Sequence, residues 1–96
     1  MYARVTKVVL GPDTQWEAER IADLFSILLK EQKGFRGITY LADYDNGEYK
    51  SVSFWETEED LMTSLANIRP ILMDAVGSKY QWDPSFQVYK VYEPKV

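Results

Sequence analysis

The chain has 96 residues, contains neither cysteine nor histidine, and carries a formal net charge of −4 at pH 7. A chain of this length is expected to form one domain, residues 1–96, and the two missing residue types exclude disulfides, thiol nucleophiles and the commonest metal ligand, so we expect no metal site. The acidic balance disfavours nucleic acid, and no apolar run approaches the roughly 20 residues that a membrane span needs, so we expect a cytoplasmic protein.

The first predicted elements are a strand over residues 5–10 and a helix over residues 15–32. β-Branched residues indicate the strand. Thr14 and Glu17 have the spacing of a capping box, in which the Thr14 hydroxyl accepts the amide of Glu17. Apolar residues then recur every three or four positions, which predicts a buried helix stripe made of Ala18, Ile21, Ala22, Phe25, Leu28 and Leu29.

Two further strands are predicted to form a hairpin around Asn46-Gly47, because both residues tolerate the positive φ of a two-residue turn. With this dipeptide as the whole turn, Asp43 lies opposite Lys50, and opposite charges stabilise such a pair. Side chains alternate along a strand, so the hairpin has two unlike faces.

One face of the hairpin is plainly apolar and is expected to pack under helices; it carries Thr39, Leu41, Val52 and Phe54. The other face combines aromatic rings with small residues, whereas a solvated face would carry Lys, Glu and Thr. We therefore expect this amphipathic face to be covered and to line a cavity. The candidate lining residues are Ile38, Tyr40, Tyr44, Tyr49, Ser51, Ser53 and Trp55.

A second helical region is predicted after Thr57, its cap, with carboxylates at residues 58–60 that complement the positive end of the helix dipole. Pro70 has no N–H to donate inside a helix, so we expect a break near Arg69 and a short helix that Gly77 closes.

The last predicted strand covers residues 86–92. The element order is then strand, helix, strand, strand, helix, strand. This order predicts a ferredoxin-like βαββαβ fold of the α+β class, a sandwich with two helical regions on one face of a four-stranded antiparallel sheet.

The sequence resembles the antibiotic biosynthesis monooxygenase family of the dimeric α+β barrel superfamily in three short motifs. They are GFRG at residues 34–37, SFWET at residues 53–57 and the helix start at residues 58–61. The resemblance implies a homodimer in which two sheets pack face to face into a barrel and hide the amphipathic face. It also implies a cofactor-independent monooxygenase that oxidises a small aromatic or quinol-type compound in the barrel cavity, with no cofactor.

Some relatives of this kind degrade haem, which they hold through a histidine beside an asparagine and a tryptophan. This chain has no histidine, and the matching stretch around Ala3 and Arg4 has no asparagine. Haem degradation is therefore not expected, and the resemblance assigns no catalytic residue.

Several interpretations stay open at this point. Tyr40, Tyr44 and Tyr49 can bind a phenolic ligand, accept its proton if their pKa is depressed, or satisfy one another in an interface. Trp55 can line the cavity or merely plug the barrel. The alternative function is a non-catalytic dimeric module that binds or senses a ligand. An RNA-binding domain shares the element order, but the charge and the start of the third strand disagree with it.

Overall fold

The computed structural model describes residues 1–76 and 84–95. Its elements are β1 (Tyr2–Val9), α1 (Gln15–Lys30), β2 (Phe35–Asp43), β3 (Glu48–Trp55), α2 (Glu58–Val76) and β4 (Ser85–Lys90). The strands are antiparallel and lie in the order β2-β3-β1-β4, which confirms the predicted ferredoxin-like α+β fold. The predicted helix end at Gly77 lies outside the described residues.

The Thr14 side chain connects the start of α1 to the sheet and does not cap the helix. Its hydroxyl donates to the Gly11 carbonyl at 2.7 Å and lies 2.9 Å from the Tyr49 hydroxyl. The helix start has no side-chain capping hydrogen bond, so the predicted capping box with Glu17 was wrong. Because the Thr14 hydroxyl proton is donated to the Gly11 carbonyl, the Tyr49 hydroxyl is the donor in its hydrogen bond with Thr14.

The hairpin between β2 and β3 has a longer loop than predicted. Asp43 lies opposite Glu48, not Lys50, so residues 44–47 form the connection. The Asp43 carboxylate accepts hydrogen bonds from the backbone N–H and the side-chain amide of Asn46, and the side-chain bond is the main reason why its pKa is lowered. The register is shifted by two residues, and an even shift leaves every side chain on its predicted face.

The two helices lie over the amphipathic face of the hairpin, although Tyr40 and Tyr44 keep 41% and 45% of their surface exposed. Tyr40 donates to the Ala22 carbonyl of α1 at 3.0 Å, and Trp55 packs with Phe25 and Leu61 in the core. The prediction that a second sheet hides this face was therefore wrong, because α1 and α2 supply both the apolar cover and the hydrogen-bond partners. The apolar face lies on the side away from the helices, and it carries Thr39, Leu41, Val52 and Phe54.

Helix α2 runs without interruption through Pro70, so the predicted break near Arg69 was wrong. Leu61, Ile68 and Leu72 of this helix are buried against the sheet. Burying such a side chain stabilises a protein by about 1.5–3 kcal/mol, and three of them together exceed the ~3 kcal/mol cost of a proline inside a helix. Among the described residues, no helix is both long and apolar enough to cross a membrane.

Candidate functional site

A cavity of about 90 Å³ lies between the sheet and the two helices. One water molecule needs roughly 10–15 Å³, and pockets for drug-sized ligands measure about 300–1,000 Å³, so this cavity suits a ligand of about one ring. Its walls are mostly apolar. They include Ile21, Phe25 and Leu29 of α1, Ile68 and Leu72 of α2, and Val8 of β1.

Four of the seven predicted lining residues border this cavity, namely Ile38, Tyr40, Tyr49 and Ser51. The other three lie elsewhere. Tyr44 is exposed, and its hydroxyl donates to the Glu19 carboxylate at 3.1 Å, which raises the pKa of Tyr44. Ser53 and Trp55 are buried in the core. The cavity therefore uses the amphipathic face of the hairpin but not its loop or its buried end.

Tyr40 presents a protonated phenol to the cavity. Its hydroxyl lies 2.8 Å from the Ser26 hydroxyl and 3.0 Å from the Ala22 carbonyl. Burial raises the pKa of Tyr40, and the charge of Asp23 adds to this effect, although the Ser26 hydrogen bond opposes it. A tyrosine whose pKa is raised does not accept a proton at neutral pH, so Tyr40 offers a ligand an acceptor oxygen and not a base.

Tyr49 presents a second phenol on the same wall. Its proton goes to Thr14, as described above, and its ring packs edge-on against Tyr44 with the ring centroids 6.0 Å apart. The lone pairs of the Tyr49 oxygen can accept a hydrogen bond from a ligand hydroxyl. The two cavity tyrosines therefore act as acceptors while their own protons stay bonded to the protein.

Trp55 is a core residue beneath the cavity and has no exposed surface. Its Nε1–H donates to Ser53 at 2.9 Å, and its ring meets Phe35 edge-on with the centroids 5.5 Å apart. The Arg4 guanidinium lies over the indole, 5.3 Å from the ring centroid. Trp55 therefore fills space in the core and contacts the Arg4 guanidinium with its ring, and its side chain does not line the cavity.

Arg4 brings a positive charge to the cavity wall. It is 3% exposed, and its Nη1 donates to the buried Ser64 hydroxyl at 2.8 Å. Burial lowers the pKa of Arg4 to about 10, so the guanidinium is still protonated at neutral pH. No group of three or more acidic side chains that could hold a metal ion occurs within residues 1–76 and 84–95. The polar residues that border the cavity are thus the cations Arg4, which is buried, and Lys50, which is exposed, together with residues that carry hydroxyl oxygens.

Several solved structures are similar to this chain in fold. SnoaB from Streptomyces nogalater, a cofactor-independent oxygenase, has a TM-score of 0.76 at 14% identity, with 98% of this chain and 95% of SnoaB covered. The monooxygenase ActVA-Orf6 of Streptomyces coelicolor, in complex with Nanaomycin D, has a TM-score of 0.72 at 20% identity, with 99% and 90% covered. A third structure, of an antibiotic biosynthesis monooxygenase, has a TM-score of 0.68 at 12% identity, with 97% and 100% covered.

The chain has the antibiotic biosynthesis monooxygenase fold. No family model matches its sequence. The human protein "Beta/gamma crystallin domain-containing protein 1" is 35% identical over 63 residues, which are 66% of this chain. The chain spans 3% of the length of that protein, so the match concerns a small part of it.

Arg4 and Ser64 are the site residues that the sequence analysis missed. The predicted first strand began at Val5, so Arg4 was left outside it. In the antibiotic biosynthesis monooxygenase fold seen here, β1 is a central strand between β3 and β4, and Arg4 shares a face with the cavity residues Thr6 and Val8. A charged residue on the helix side of a central strand is the signal that could have identified it, because such positions are normally apolar.

Proposed function

We propose that the protein is a cytoplasmic, cofactor-independent monooxygenase that oxidises a small aromatic or quinol-type compound in the cavity between the sheet and the helices. The observation that carries this proposal is the apolar cavity with Arg4 and the oxygens of Tyr40 and Tyr49 on its wall. The likeness in fold to an oxygenase described as cofactor-independent and to a second monooxygenase supports it.

The chemistry of such a substrate explains why no cofactor is needed. When a quinol takes up one oxygen atom and becomes a hydroxyquinone, the substrate gives up four electrons, which is the number that reduces O2. One oxygen atom stays on the carbon and the other leaves as water, so no further reductant takes part. The protein then has to bind the ring, exclude water and help to remove a proton.

The cavity residues can perform these tasks in different ways. Apolar side chains of the two helices exclude water and pack against the ring. The oxygens of Tyr40 and Tyr49 can accept hydrogen bonds from substrate hydroxyls and so orient the ring. Orientation of this kind contributes to catalysis because the reacting atoms are then held together.

Oxygen uptake tests this function. With hydroquinone as the substrate, a single-ring quinol of the size that the cavity suits, we expect the protein to consume O2 faster than the buffer alone. Ala22→Leu adds a side chain to the cavity wall on α1 and takes up space that the substrate ring needs, so turnover should fall by about tenfold or more, a rise of about 1.4 kcal/mol in the activation free energy.

Ala66→Leu is the matched control, because Ala66 is exposed on α2 and does not line the cavity. We expect this variant to keep the wild-type rate, and circular dichroism checks that both variants are folded. Equal rates in Ala22→Leu and Ala66→Leu would place the reaction outside this cavity.

The alternative function is a binding module without turnover. The bonded protons of Tyr40 and Tyr49, and the raised pKa of Tyr40, favour it because neither tyrosine is prepared to act as a base. Isothermal titration with hydroquinone separates the two functions. Saturable binding without oxygen uptake supports the module, and binding with uptake supports the monooxygenase.

We further propose that the protein forms a homodimer through the sheet face that turns away from the helices. This open face, which carries Thr39, Leu41, Val52, Phe54 and Tyr89, exposes 51% of Leu41 and 51% of Tyr89. Two such faces would bury each other's apolar side chains, in place of the amphipathic face that the sequence analysis assigned to the interface.

Light scattering after gel filtration measures the assembly. Leu41→Glu places a charge among the apolar side chains of the open face, so we expect the wild type to be a dimer and this variant to be a monomer at micromolar concentration. Ile27→Glu is the control, because Ile27 is 63% exposed on α1, on the other side of the sheet. A wild-type monomer would refute the dimer, and so would a Leu41→Glu dimer.

A further inference from the structure

Arg4 is a charged side chain buried in the middle of the sheet. It is 3% exposed, lies on the central strand β1 and lines the cavity. A buried charge is costly unless an opposite charge or a full set of hydrogen bonds compensates it. Packing alone therefore does not explain a guanidinium at this position.

No carboxylate within the described residues pairs with Arg4. The ion pairs found there are Lys7 with Glu48, Arg20 with Glu17, and Arg36 with Glu56, and all of them lie towards solvent. The groups that contact the guanidinium are neutral, namely the Ser64 hydroxyl and the Trp55 ring. The Nε of Arg4 has no hydrogen-bond partner in this part of the chain.

The contacts of Arg4 fix its position without neutralising it. Ser64 donates its own proton to the Leu61 carbonyl at 3.0 Å, so its oxygen is free to accept from Arg4. The indole of Trp55 supports the guanidinium from the other side. The lowered pKa of Arg4, about 10, agrees with a charge that is desolvated and unpaired but still present at neutral pH.

We propose that the cavity binds its ligand as an oxyanion, a small aromatic phenolate or carboxylate whose charged oxygen accepts hydrogen bonds from Arg4. The inference takes the location of the site from the proposed function and adds the charge state of the ligand. The oxyanion supplies the counter-charge that the described residues lack, and charge-assisted hydrogen bonds are strong in an apolar cavity. A phenol that binds as its phenolate has already given its proton to the solvent, so this mode of binding needs no tyrosine base.

Para-nitrophenol tests the inference through the sign of a pKa change, because its neutral and ionised forms absorb at different wavelengths. An apolar cavity raises the pKa of a bound phenol, whereas a nearby guanidinium lowers it. We expect the pKa of bound para-nitrophenol to fall by about one unit or more in the wild type, a tenfold preference for the anion. In Arg4→Met the pKa of bound para-nitrophenol should rise above its value in solution.

Benzoate and benzamide form the carboxylate arm of the test, since they have similar shapes and differ in charge. A preference for benzoate of about tenfold or more that disappears in Arg4→Met supports a carboxylate ligand. A lowered pKa for para-nitrophenol without this preference supports a phenolate. If neither anion binds more tightly than its neutral counterpart, the proposal is overturned.

Two control variants test whether the effect belongs to Arg4. Arg36 is 54% exposed at its side chain and pairs with Glu56, so Arg36→Met removes an equal charge far from the cavity. Lys50 borders the cavity but is exposed. Because side chains alternate along β3, the Lys50 side chain lies on the opposite face of the sheet from that of Ser51. Anion binding should survive in Arg36→Met and in Lys50→Met. Its loss in Lys50→Met with retention in Arg4→Met would overturn the proposal.

Thermal unfolding without ligand separates binding from a structural role. Because Arg4 is unpaired, Arg4→Met should melt no lower than the wild type. A lower melting point together with unchanged anion preference would assign Arg4 to the fold and overturn the proposal. Arg4→Lys keeps the charge but loses the planar fork, so it should keep the downward pKa change with weaker affinity.

Oxygen uptake remains a separate measurement. Anion binding through Arg4 without uptake refutes the monooxygenase and leaves this inference standing. Uptake with no preference for an anion refutes this inference and leaves the monooxygenase standing.

Discussion

Trp55→Ala is expected to lower the free energy of unfolding by about 3–5 kcal/mol, the usual cost of truncating a fully buried tryptophan. The side chain has no exposed surface and packs edge-on against Phe35 in the core. Its loss leaves a large void and removes the ring beneath the Arg4 guanidinium. Since domains of this size are stable by roughly 5–15 kcal/mol, the variant should lose a large part of the wild-type stability. Urea unfolding followed by circular dichroism measures the change.

Trp16→Ala is the matched control for this experiment. Trp16 is 71% exposed on α1, where Arg20 lies over its ring, and removing an exposed side chain should change the free energy of unfolding by no more than about 0.5 kcal/mol. Trp55→Phe keeps a ring but loses the N–H that bonds Ser53, so it should fall between the two alanine variants. Similar costs for Trp55→Ala and Trp16→Ala would contradict the buried position of Trp55.

The sequence predicted the order of the elements because the local signals for them are strong. The asparagine and glycine at 46–47, the apolar stripe on α1 and the acidic helix start at 58–60 each depend on neighbouring residues alone. Alternation along the strands also grouped Ile38, Tyr40 and Ser51 on one face, as observed. These features survive errors in register because a shift of two residues preserves the faces.

Alternation could not tell which face of the hairpin the helices cover. Aromatic and hydroxyl side chains predicted a covered face, and the family resemblance implied that a second sheet covers it, yet the Tyr40 hydroxyl bonds to Ser26 and Ala22 of α1. Such contacts depend on where a helix crosses the sheet, which local sequence does not encode. A helix carbonyl can satisfy a phenol as well as a partner molecule can.

The Arg4 and Ser64 pair was beyond local reasoning for a similar reason. The two residues are separated by 60 positions in the sequence, and their contact requires β1 to be central and α2 to lie across it. The continuous course of α2 through Pro70 shows the same principle, because tertiary burial outweighs a local helix breaker. Charge inside a central strand remains the sequence feature that could have directed attention to Arg4.

Gly47→Ala is expected to lower the free energy of unfolding by about 2–4 kcal/mol, from backbone strain together with a steric clash. Gly47 has a φ of +67°, and a Cβ there would overlap the Gly11 carbonyl. The Gly47 carbonyl also accepts a hydrogen bond from the Leu10 amide at 2.8 Å, so the loop cannot move away freely. Displacing Gly11 would disturb Thr14 and, through it, the cavity residue Tyr49.

Gly11→Ala separates the strain from the clash in this loop pair. Gly11 has a φ of +90°, but a Cβ there meets nothing within 4 Å, so the substitution should cost about 1–2 kcal/mol from strain alone. Urea unfolding of both variants gives the difference between Gly47→Ala and Gly11→Ala, which is the cost of the clash. Equal costs would mean that the loop at residues 44–47 does not pack against Gly11. A larger cost for Gly47→Ala would confirm the close approach of the loop to Gly11, whose carbonyl accepts the hydrogen bond from Thr14.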